Sequence, residues 1–476
     1  MKESDIIFID PPRFNDDAEI MPGTLYGHLP HLGLCSLAAV AEKAGYKVSI
    51  LDAVALQYSL RQILEEVKTR KPRYIGISAM THTIRSASAI AKIIKDNLNN
   101  VKVILGGVHI TSATEETLKK YPGCFDVCVL GEGEATIVEL LKILDNGGAL
   151  NDVPGLAFMS DNQIIRTIPR ELIRDLDALP FPAWHLLPDM QQHYGATLIS
   201  AGNKFSNHLL TSRGCPGRCI FCDTTVNGHK VRGFSSDYVL AMIEILHKKY
   251  HVGDIQFNDD TFVTLKKRML DICNKLIAKN YKLSWSCDAR ASDVTEESLK
   301  MMKAAGCWQI AFGVETGSQR VMDFIQKKVT FEQIKNAFKW AKKAGISTKG
   351  FFILGHPTED HHSINETIDL MLSLDIDVVG VTFFTVFPGS PIFPTISQYG
   401  KFDCDWDKTY VYEVGNFIPN NFNEEELISL RKQAISRFYF RPKYMIKQLL
   451  SVRKPYDLYR LIAGGIKMVS RNIVNT

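Results

Sequence analysis

Cys215, Cys219 and Cys222 stand in one short stretch, Thr-Ser-Arg-Gly-Cys-Pro-Gly-Arg-Cys-Ile-Phe-Cys, directly after an apolar run. Three thiolates at this spacing can hold three irons of a cube-shaped four-iron cluster and leave the fourth without an obvious protein ligand. An iron with open coordination positions can bind and reduce a substrate, which an all-cysteine electron-transfer centre cannot. A zinc site would want a fourth Cys or His at motif spacing, and His229 lies seven residues further on in a polar loop. A disulfide framework suits oxidising compartments. Ten cysteines in a chain of 476 residues, behind an N-terminus without a secretory signal, point instead to a reducing cytosol.

The cysteines need elements to hold them, and the chain supplies two alternating β/α series. In residues 1–145 the strand candidates are 5–9, 47–51, 74–78, 101–105 and 127–130, with helical spacing at 32–44, 60–69, 84–97, 112–121 and 134–144. This pattern predicts a doubly wound, flavodoxin-like (Rossmann-type) parallel sheet covered on both faces. Ligands of such sheets sit beyond the carboxyl ends of the strands. Those ends carry Met80-Thr81, Gly106-Gly107-Val108-His109 and Gly131-Glu132-Gly133-Glu134, where glycines let a backbone approach a bulky ligand.

Residues 146–205 read as a connector, interrupted by Pro154, Pro169, Pro180, Pro182 and Pro188. Residues 206–395 alternate again. Strands are predicted at 208–211, 254–258, 282–287, 308–313, 347–354 and 378–384, and helices at 237–250, 265–279, 296–305, 331–344 and 363–374. Six βα units make a partial (β/α)6 barrel, whose reactive face is the carboxyl end of its strands. The cysteine loop falls there. Residues 396–476 form a helical, basic segment, with eleven Lys/Arg against one acid from Arg431 onward, although the whole chain is only +4. Such a tail can meet an anionic partner or a membrane surface, or be a solvated helical face. No apolar run approaches the ~20 residues of a spanning helix, and no recognised nucleic-acid-binding module accompanies the basic patch.

The cysteine loop, with Phe221 before its last cysteine, resembles that of radical S-adenosylmethionine enzymes. Residues 31–46, Ile104-Leu-Gly-Gly-Val-His109 and Leu130-Gly-Glu-Gly-Glu134 are similar to the cobalamin-binding domain that precedes the radical domain in one subgroup of that family. Leu176-Asp-Ala-Leu-Pro-Phe-Pro-Ala-Trp184 is similar to the segment that joins the two domains. The resemblance implies a [4Fe-4S] cluster on Cys215, Cys219 and Cys222, with S-adenosylmethionine chelating the open iron. It further implies cobalamin over Met80, Thr81, Gly106, Gly107, His109, Gly131 and Glu132. The Asp-x-His-x-x-Gly segment that supplies a cobalt-binding histidine elsewhere is absent, so the lower face of cobalt is not held by such a histidine.

Other site residues follow from the resemblance, each at a barrel strand end. Asp260 first, and Asp259 second, would face the cofactor's ammonium group, one of the pair capping the next helix. Arg290 either neutralises its carboxylate or pairs with Asp288 or Glu315. Glu315 would contact the bound cofactor, Gly355 would admit the adenine, Glu359 would cap a helix, and Phe387-Pro-Gly-Ser-Pro391 would be a turn in the pocket floor.

The implied reaction makes a 5′-deoxyadenosyl radical, takes hydrogen from an unactivated carbon and delivers a methyl group by way of cobalamin. An external reductant such as flavodoxin or ferredoxin supplies the electron, and the substrate is a small or lipid-like molecule. The chain also resembles the anaerobic magnesium-protoporphyrin ester cyclases, including at Arg437-Phe-Tyr-Phe-Arg-Pro-Lys-Tyr444, which implies oxidation or cyclisation without methyl transfer. A non-catalytic iron–sulfur carrier is the alternative from another class.

Overall fold

The computed structural model describes residues 3–14, 28–195, 205–442 and 444–446. Its first sheet has strands β1 (Ile6–Asp10), β2 (Val48–Asp52), β3 (Tyr74–Ser78), β4 (Lys102–Gly106) and β5 (Val127–Val129), followed by β6 (Leu156–Ser160) and β7 (Gln163–Arg166). Their spatial order is β2-β1-β3-β4-β5-β6-β7. The first five are parallel, and β1 is buried along its whole length, as a strand covered on both faces must be. Alternation along β1 divides its side chains between two cores. Ile6 and Phe8 pack with helices Leu32–Lys43 and Gly133–Asn146, whereas Ile7 and Ile9 pack with helices Leu60–Arg70 and Ile84–Asn97.

Two local differences from the sequence reading appear here. β6 and β7 come from the stretch read as connector and extend the sheet as an antiparallel hairpin. Their two-residue turn, Asp161-Asn162, has φ of 48° and 61° at its two positions, the type I′ geometry whose twist matches paired strands. The single helix expected over 112–121 is two short helices, Val108–Ser112 and Thr114–Lys120.

The second sheet contains β8 (Ser206–Leu209), then, past a ribbon of β9 (Ser212–Arg213) and β10 (Arg232–Gly233), strands β11 (Asp254–Phe257), β12 (Ser284–Ala289), β13 (Cys307–Glu315), β14 (Ser347–Leu354) and β15 (Val378–Phe383). These six principal strands are parallel and neighbour one another in chain order, which is the expected open barrel. Burial alternates strictly along β14 and β15, so one set of side chains lies under the helices and the other faces the lumen. His208, Gln256, Ser286, Gln309 and Ser347 share one register row on the lumen side. Asp288, Ala311, Lys349 and Val378 form the next. Closed βα barrels fill this space with Val, Ile and Leu; here the first row is polar throughout and the second adds Asp288 and Lys349, with Phe351 and Ile353 nearer the mouth.

Each free edge of the barrel is covered by a later or earlier segment. Helix Glu424–Tyr439 lies on β15, where Arg431 Nε donates to the Val381 carbonyl at 2.9 Å and the Tyr439 hydroxyl accepts from the Val379 N–H at 3.2 Å. This satisfies edge groups that would otherwise recruit another strand. At the β8 edge, the His208 ring reaches the Pro30 carbonyl at 2.6 Å. The rest of the basic tail, including Tyr456 and Tyr459, lies outside the described residues.

The two sheets meet through buried charge. Arg213 of β9 bonds Glu132 at 2.8 Å and Glu134 at 2.5 Å, and Arg232 of β10 bonds Glu132 at 2.9 Å. All four side chains are buried. Removing one member of such a network leaves an uncompensated charge out of water, a loss of about 3–5 kcal/mol. Glu132→Gln is therefore expected to destabilise the protein by several kcal/mol and to loosen the cysteine loop, whose two stems carry the arginines. Denaturant unfolding followed by far-ultraviolet circular dichroism checks the first effect, and proteolytic nicking within 214–231 the second. Unchanged unfolding and nicking would refute both.

Candidate functional site

The loop that carries the cysteines is closed at its base by the β9–β10 ribbon. Gly214 is obligatory at that base: its φ is +90°, and a Cβ there would lie 2.5 Å from the Lys230 carbonyl oxygen on the other arm. Within the loop Cys215 is half-buried, Cys219 buried and Cys222 exposed. A hydrogen bond from the Cys222 thiol draws Cys219 down to about 6, with help from the charges of Lys327 and Arg290, and the same bond pushes Cys222 up. The donor set is thus three soft sulfurs with cations beside them, which fits a thiolate-ligated iron–sulfur cluster. Cys35, Cys128, Cys273, Cys287 and Cys307 are buried, and Cys124 is half-buried beside the first sheet's core.

The two acids after β11 play different parts. Asp259 is buried and accepts from the Thr211 N–H (2.5 Å), the Thr211 hydroxyl (2.6 Å) and the Ser212 hydroxyl (2.5 Å). It pins the start of the cysteine loop to the neighbouring strand, and both its oxygens are in use. Asp260 is exposed at the barrel mouth; burial of its surroundings and the nearby Asp259 raise it, opposed by a hydrogen bond from the Gly214 N–H. Of the pair, Asp260 is the one open to a ligand.

Glu315 closes β13 with φ +65°, at a break in the β13–β14 register. Its Oε1 lies 2.5 Å from Lys327 Nζ, both side chains being buried. Gly313 makes room for this pair: a Cβ there would fall 2.4 Å from Glu315 Oε1 and 2.7 Å from Lys327 Nζ. Burial opposes the charge of Lys327, but Glu315 and the thiols of Cys219 and Cys222 hold it above its ordinary value. No motif marks Lys327 in the sequence, where it sits in a Lys-Lys loop between two helices. Arg290 stands between the cysteine loop and the Lys327 loop. Its Nη2 donates to the Lys327 carbonyl at 2.8 Å, its Nη1 lies beside Gly217 of the cysteine loop, and among the described residues it pairs with neither Asp288 nor Glu315.

Past β14, Gly355 has φ +84°, and the space its missing side chain would enter faces Leu427 of helix Glu424–Tyr439. The expected capping by Glu359 is not found. Asp360 caps the next helix, accepting from the Ser363 N–H at 2.8 Å. Glu359 is instead wholly buried and accepts from the N–H groups of Gly355 (2.6 Å) and His356 (3.0 Å), with Oε1 unpartnered. Phe221 stacks edge-on to Phe384 at 6.4 Å, with the buried His356 ring at 6.3 Å. Gly389, in the Pro-Gly-Ser-Pro turn, admits the Asp223 carboxylate, which a Cβ would meet at 2.3 Å.

At the first sheet, Gly107 (φ +103°) would drive a Cβ to 2.6 Å from the Ala79 carbonyl oxygen, so the ends of β3 and β4 close on each other only with glycine there. Met80 is 46% exposed beside them, Gly106 is half-buried, and Gly131 (φ +72°) has open space where a Cβ would stand. This bare, partly apolar ledge fits a flat macrocycle. Thr81 is buried at the start of a short 3-10 turn. Two expected contacts fall away. His109 is fully buried against Thr117 (3.0 Å) and Trp406, and burial holds it down to about 4, so it faces the core rather than the ledge. Glu132 is committed to Arg213, Arg232 and the Ile173 N–H. The ledge nevertheless touches the cysteine loop: Ser112 Oγ donates to Asp223 Oδ2 at 2.6 Å and lies 2.8 Å from Thr225 Oγ1.

Burial pushes Glu359 from 4.5 up to about 8. Across that window the folded chain keeps a proton that the unfolded chain releases, so stability falls as pH rises, by up to about 1.4 kcal/mol per unit. In the ligand-free protein, Glu359→Gln is expected to raise the melting temperature at pH 8.5 and to change it little at pH 5. An equal effect at both pH values would show that ionisation of Glu359 does not carry it.

Comparison with known proteins adds to this geometry. Residues 19–141 match the B12 binding domain family, and residues 209–371 match the Radical SAM superfamily. An uncharacterised methyltransferase of Pyrococcus horikoshii is 34% identical over 98% of this chain and 99% of its own length. The anaerobic magnesium-protoporphyrin IX monomethyl ester cyclase of Rubrivivax gelatinosus is 27% identical over 92% of this chain and 78% of its own. Among solved structures, the cobalamin-dependent S-adenosylmethionine radical enzyme OxsB, with aqua-cobalamin and S-adenosylmethionine bound, shares the fold over 97% of this chain and 70% of its own at TM-score 0.75 and 18% identity. The radical S-adenosylmethionine methyltransferase TsrM of Kitasatospora setae, with cobalamin and a [4Fe-4S] cluster bound, does so over 81% and 73% at TM-score 0.66 and 17% identity. With a B12-binding domain over the first sheet, the three-cysteine loop at the mouth of the second, and a full-length relative above 30% identity, the chain belongs to the cobalamin-binding radical S-adenosylmethionine enzymes.

Proposed function

We propose that this protein transfers a methyl group to an unactivated carbon of a small molecule. The observation that carries the reading is the direct contact between the ledge of the first sheet and the cysteine loop, through Ser112, Asp223 and Thr225. It supports a placement of both cofactors at one barrel mouth. When bound, the cluster and S-adenosylmethionine supply the radical that takes hydrogen, and cobalamin supplies the methyl group. The chain's own part is binding, orientation and exclusion of water.

Cys215, Cys219 and Cys222 hold the cluster in this reading. Asp260 receives the ammonium group of S-adenosylmethionine and Arg290 its carboxylate, while the Glu315–Lys327 pair and the backbone at Gly355 border the rest of that cofactor. Met80, Gly106, Gly107 and Gly131 line the ledge for cobalamin. The polar lumen, with Asp288 and Lys349 in one row, supports a substrate that presents polar groups to the barrel over a wholly apolar lipid. Electrons come from an external reductant such as flavodoxin or ferredoxin. Among the described residues no helix is long and apolar enough to cross a membrane.

The similarity to the ester cyclase supports a second reading, oxidation or cyclisation without methyl transfer. Isotope labelling separates the two. Cells with and without the protein are grown on methyl-deuterated methionine, and their extracts compared by mass spectrometry. Methyl transfer predicts a protein-dependent compound that carries the intact deuterated methyl group. Reduced, reconstituted protein should form 5′-deoxyadenosine, and Cys219→Ala should abolish both signals. A protein-dependent product that is oxidised or cyclised without label would overturn methyl transfer, and 5′-deoxyadenosine formation that survives Cys219→Ala would overturn the cluster assignment.

A further inference from the structure

Away from the cysteines, Asp10 and Asp52 end the adjacent strands β1 and β2 and face each other in register. His28 joins them from the segment that leads into helix Leu32–Lys43. Ligand atoms of the three residues all lie within 4.8 Å of one another. We propose that Asp10, His28 and Asp52 form a binding site for a divalent first-row transition-metal ion at the junction of the two sheets.

The spacing suits coordination. His28 Nε2 is 3.0 Å from one Asp52 oxygen and 3.1 Å from the other. Ligands each about 2.0–2.2 Å from one ion lie about 3–3.5 Å from one another at tetrahedral or octahedral angles. One imidazole with two carboxylates is a borderline donor set, suited to Mn2+, Fe2+ or Zn2+.

Outer contacts hold the set in place, as at metal sites. The Tyr194 hydroxyl donates to Asp52 Oδ2 at 2.7 Å and the Ala55 N–H to Asp52 Oδ1 at 2.8 Å. The Tyr194 ring stacks on His28 at 5.4 Å.

A simple His–Asp ion pair explains Asp52 but leaves Asp10 without a role. Asp10 is 7% exposed, and among the described residues no donor reaches its carboxyl. Two carboxylates and one imidazole at ligand distance from one another can release their protons to a divalent cation, which then balances both carboxylate charges.

The position gives the ion work to do. Tyr194 lies in the segment that precedes the barrel, the Gly195 N–H bonds the His28 carbonyl at 3.3 Å, and the Pro30 carbonyl bonds the His208 ring of β8. An ion here ties both strand ends to the segment that covers the open edge of the barrel, about the β8 side.

Titration of the reconstituted holoenzyme with Mn2+, followed by the electron paramagnetic resonance signal of free Mn2+ and by Zn2+ competition, tests the site. The wild type should take up one ion that Zn2+ displaces. His28→Gln and Asp10→Asn, which keep volume and hydrogen-bonding groups, should each weaken that uptake tenfold or more and remove the rise in melting temperature that the ion produces. Wild-type protein that binds neither metal, or binds it no better than both variants, would overturn the proposal. Circular dichroism of the metal-free variants separates loss of a ligand from loss of fold. A folded Asp10→Asn protein with undiminished affinity is by itself sufficient to refute it.

Discussion

Two arginines and two glutamates, out of water at the junction, set the geometry on which everything else depends. Arg213 and Arg232 are the two stems of the cysteine loop, and Glu132 bridges them from the end of β5. A buried network of this kind is a poor source of net stability, because desolvation consumes most of the attraction. Its strength is directional. Arg213 spreads its two terminal nitrogens over two glutamates while Arg232 bonds one of them, which fixes angle as well as distance, so the loop cannot rotate against the first sheet without stranding charge. An apolar interface of the same area would tolerate sliding, and sliding would change the gap between the ledge at Gly106-Gly107 and the sulfurs.

The same logic holds inside the loop. Asp259 grips Thr211 and Ser212 at the loop's entry, and Gly214 lets the two arms touch. Arg290 and Lys327 then approach from the barrel side, Lys327 tied to Glu315 and its carbonyl tied to Arg290. Positive charge beside the cysteines favours their thiolate forms, and the ion pair with Glu315 keeps that charge from becoming an isolated buried cation. The left-handed backbone at Glu315 and the bare Gly313 both serve to place one carboxylate.

Much of this was legible in the sequence, for identifiable reasons. Strands β3 and β14 were read to the residue because buried parallel strands are dense in apolar and β-branched types. The cysteine loop was legible because its spacing is chemistry rather than propensity. What escaped were contacts between segments distant in the chain. Glu132 looks like a ligand-facing residue at a strand end until Arg213 and Arg232 arrive from the other sheet. His109 sits where a loop histidine should be, but Trp406 from the C-terminal region closes over it. Lys327 carries no local signal, because its burial is produced by the thiols and Glu315 around it. The hairpin β6–β7 was hidden by the prolines on either side of it.

An open barrel exposes what a closed one does not, two edge strands and a lumen that side chains need not fill. Here the edges are sealed by non-strand elements, helix Glu424–Tyr439 on β15 and the Pro30 segment at β8. Neither seal is made of continuous ladder hydrogen bonds: helix Glu424–Tyr439 buries Leu427, Ala434 and Phe438 in the main core, and the Pro30 segment meets the His208 ring. The lumen behind them is polar, with Asp288 drawn up to about 6 by burial and Lys349 facing it across Ala311. Opposite charges held in a cavity without a direct ion pair among the described residues suit an incoming molecule that bonds both. The barrel's openness, its polar rows and its non-strand seals are therefore one arrangement: a wall that holds the cysteines at its mouth, with its two edges covered by segments from outside the sheet.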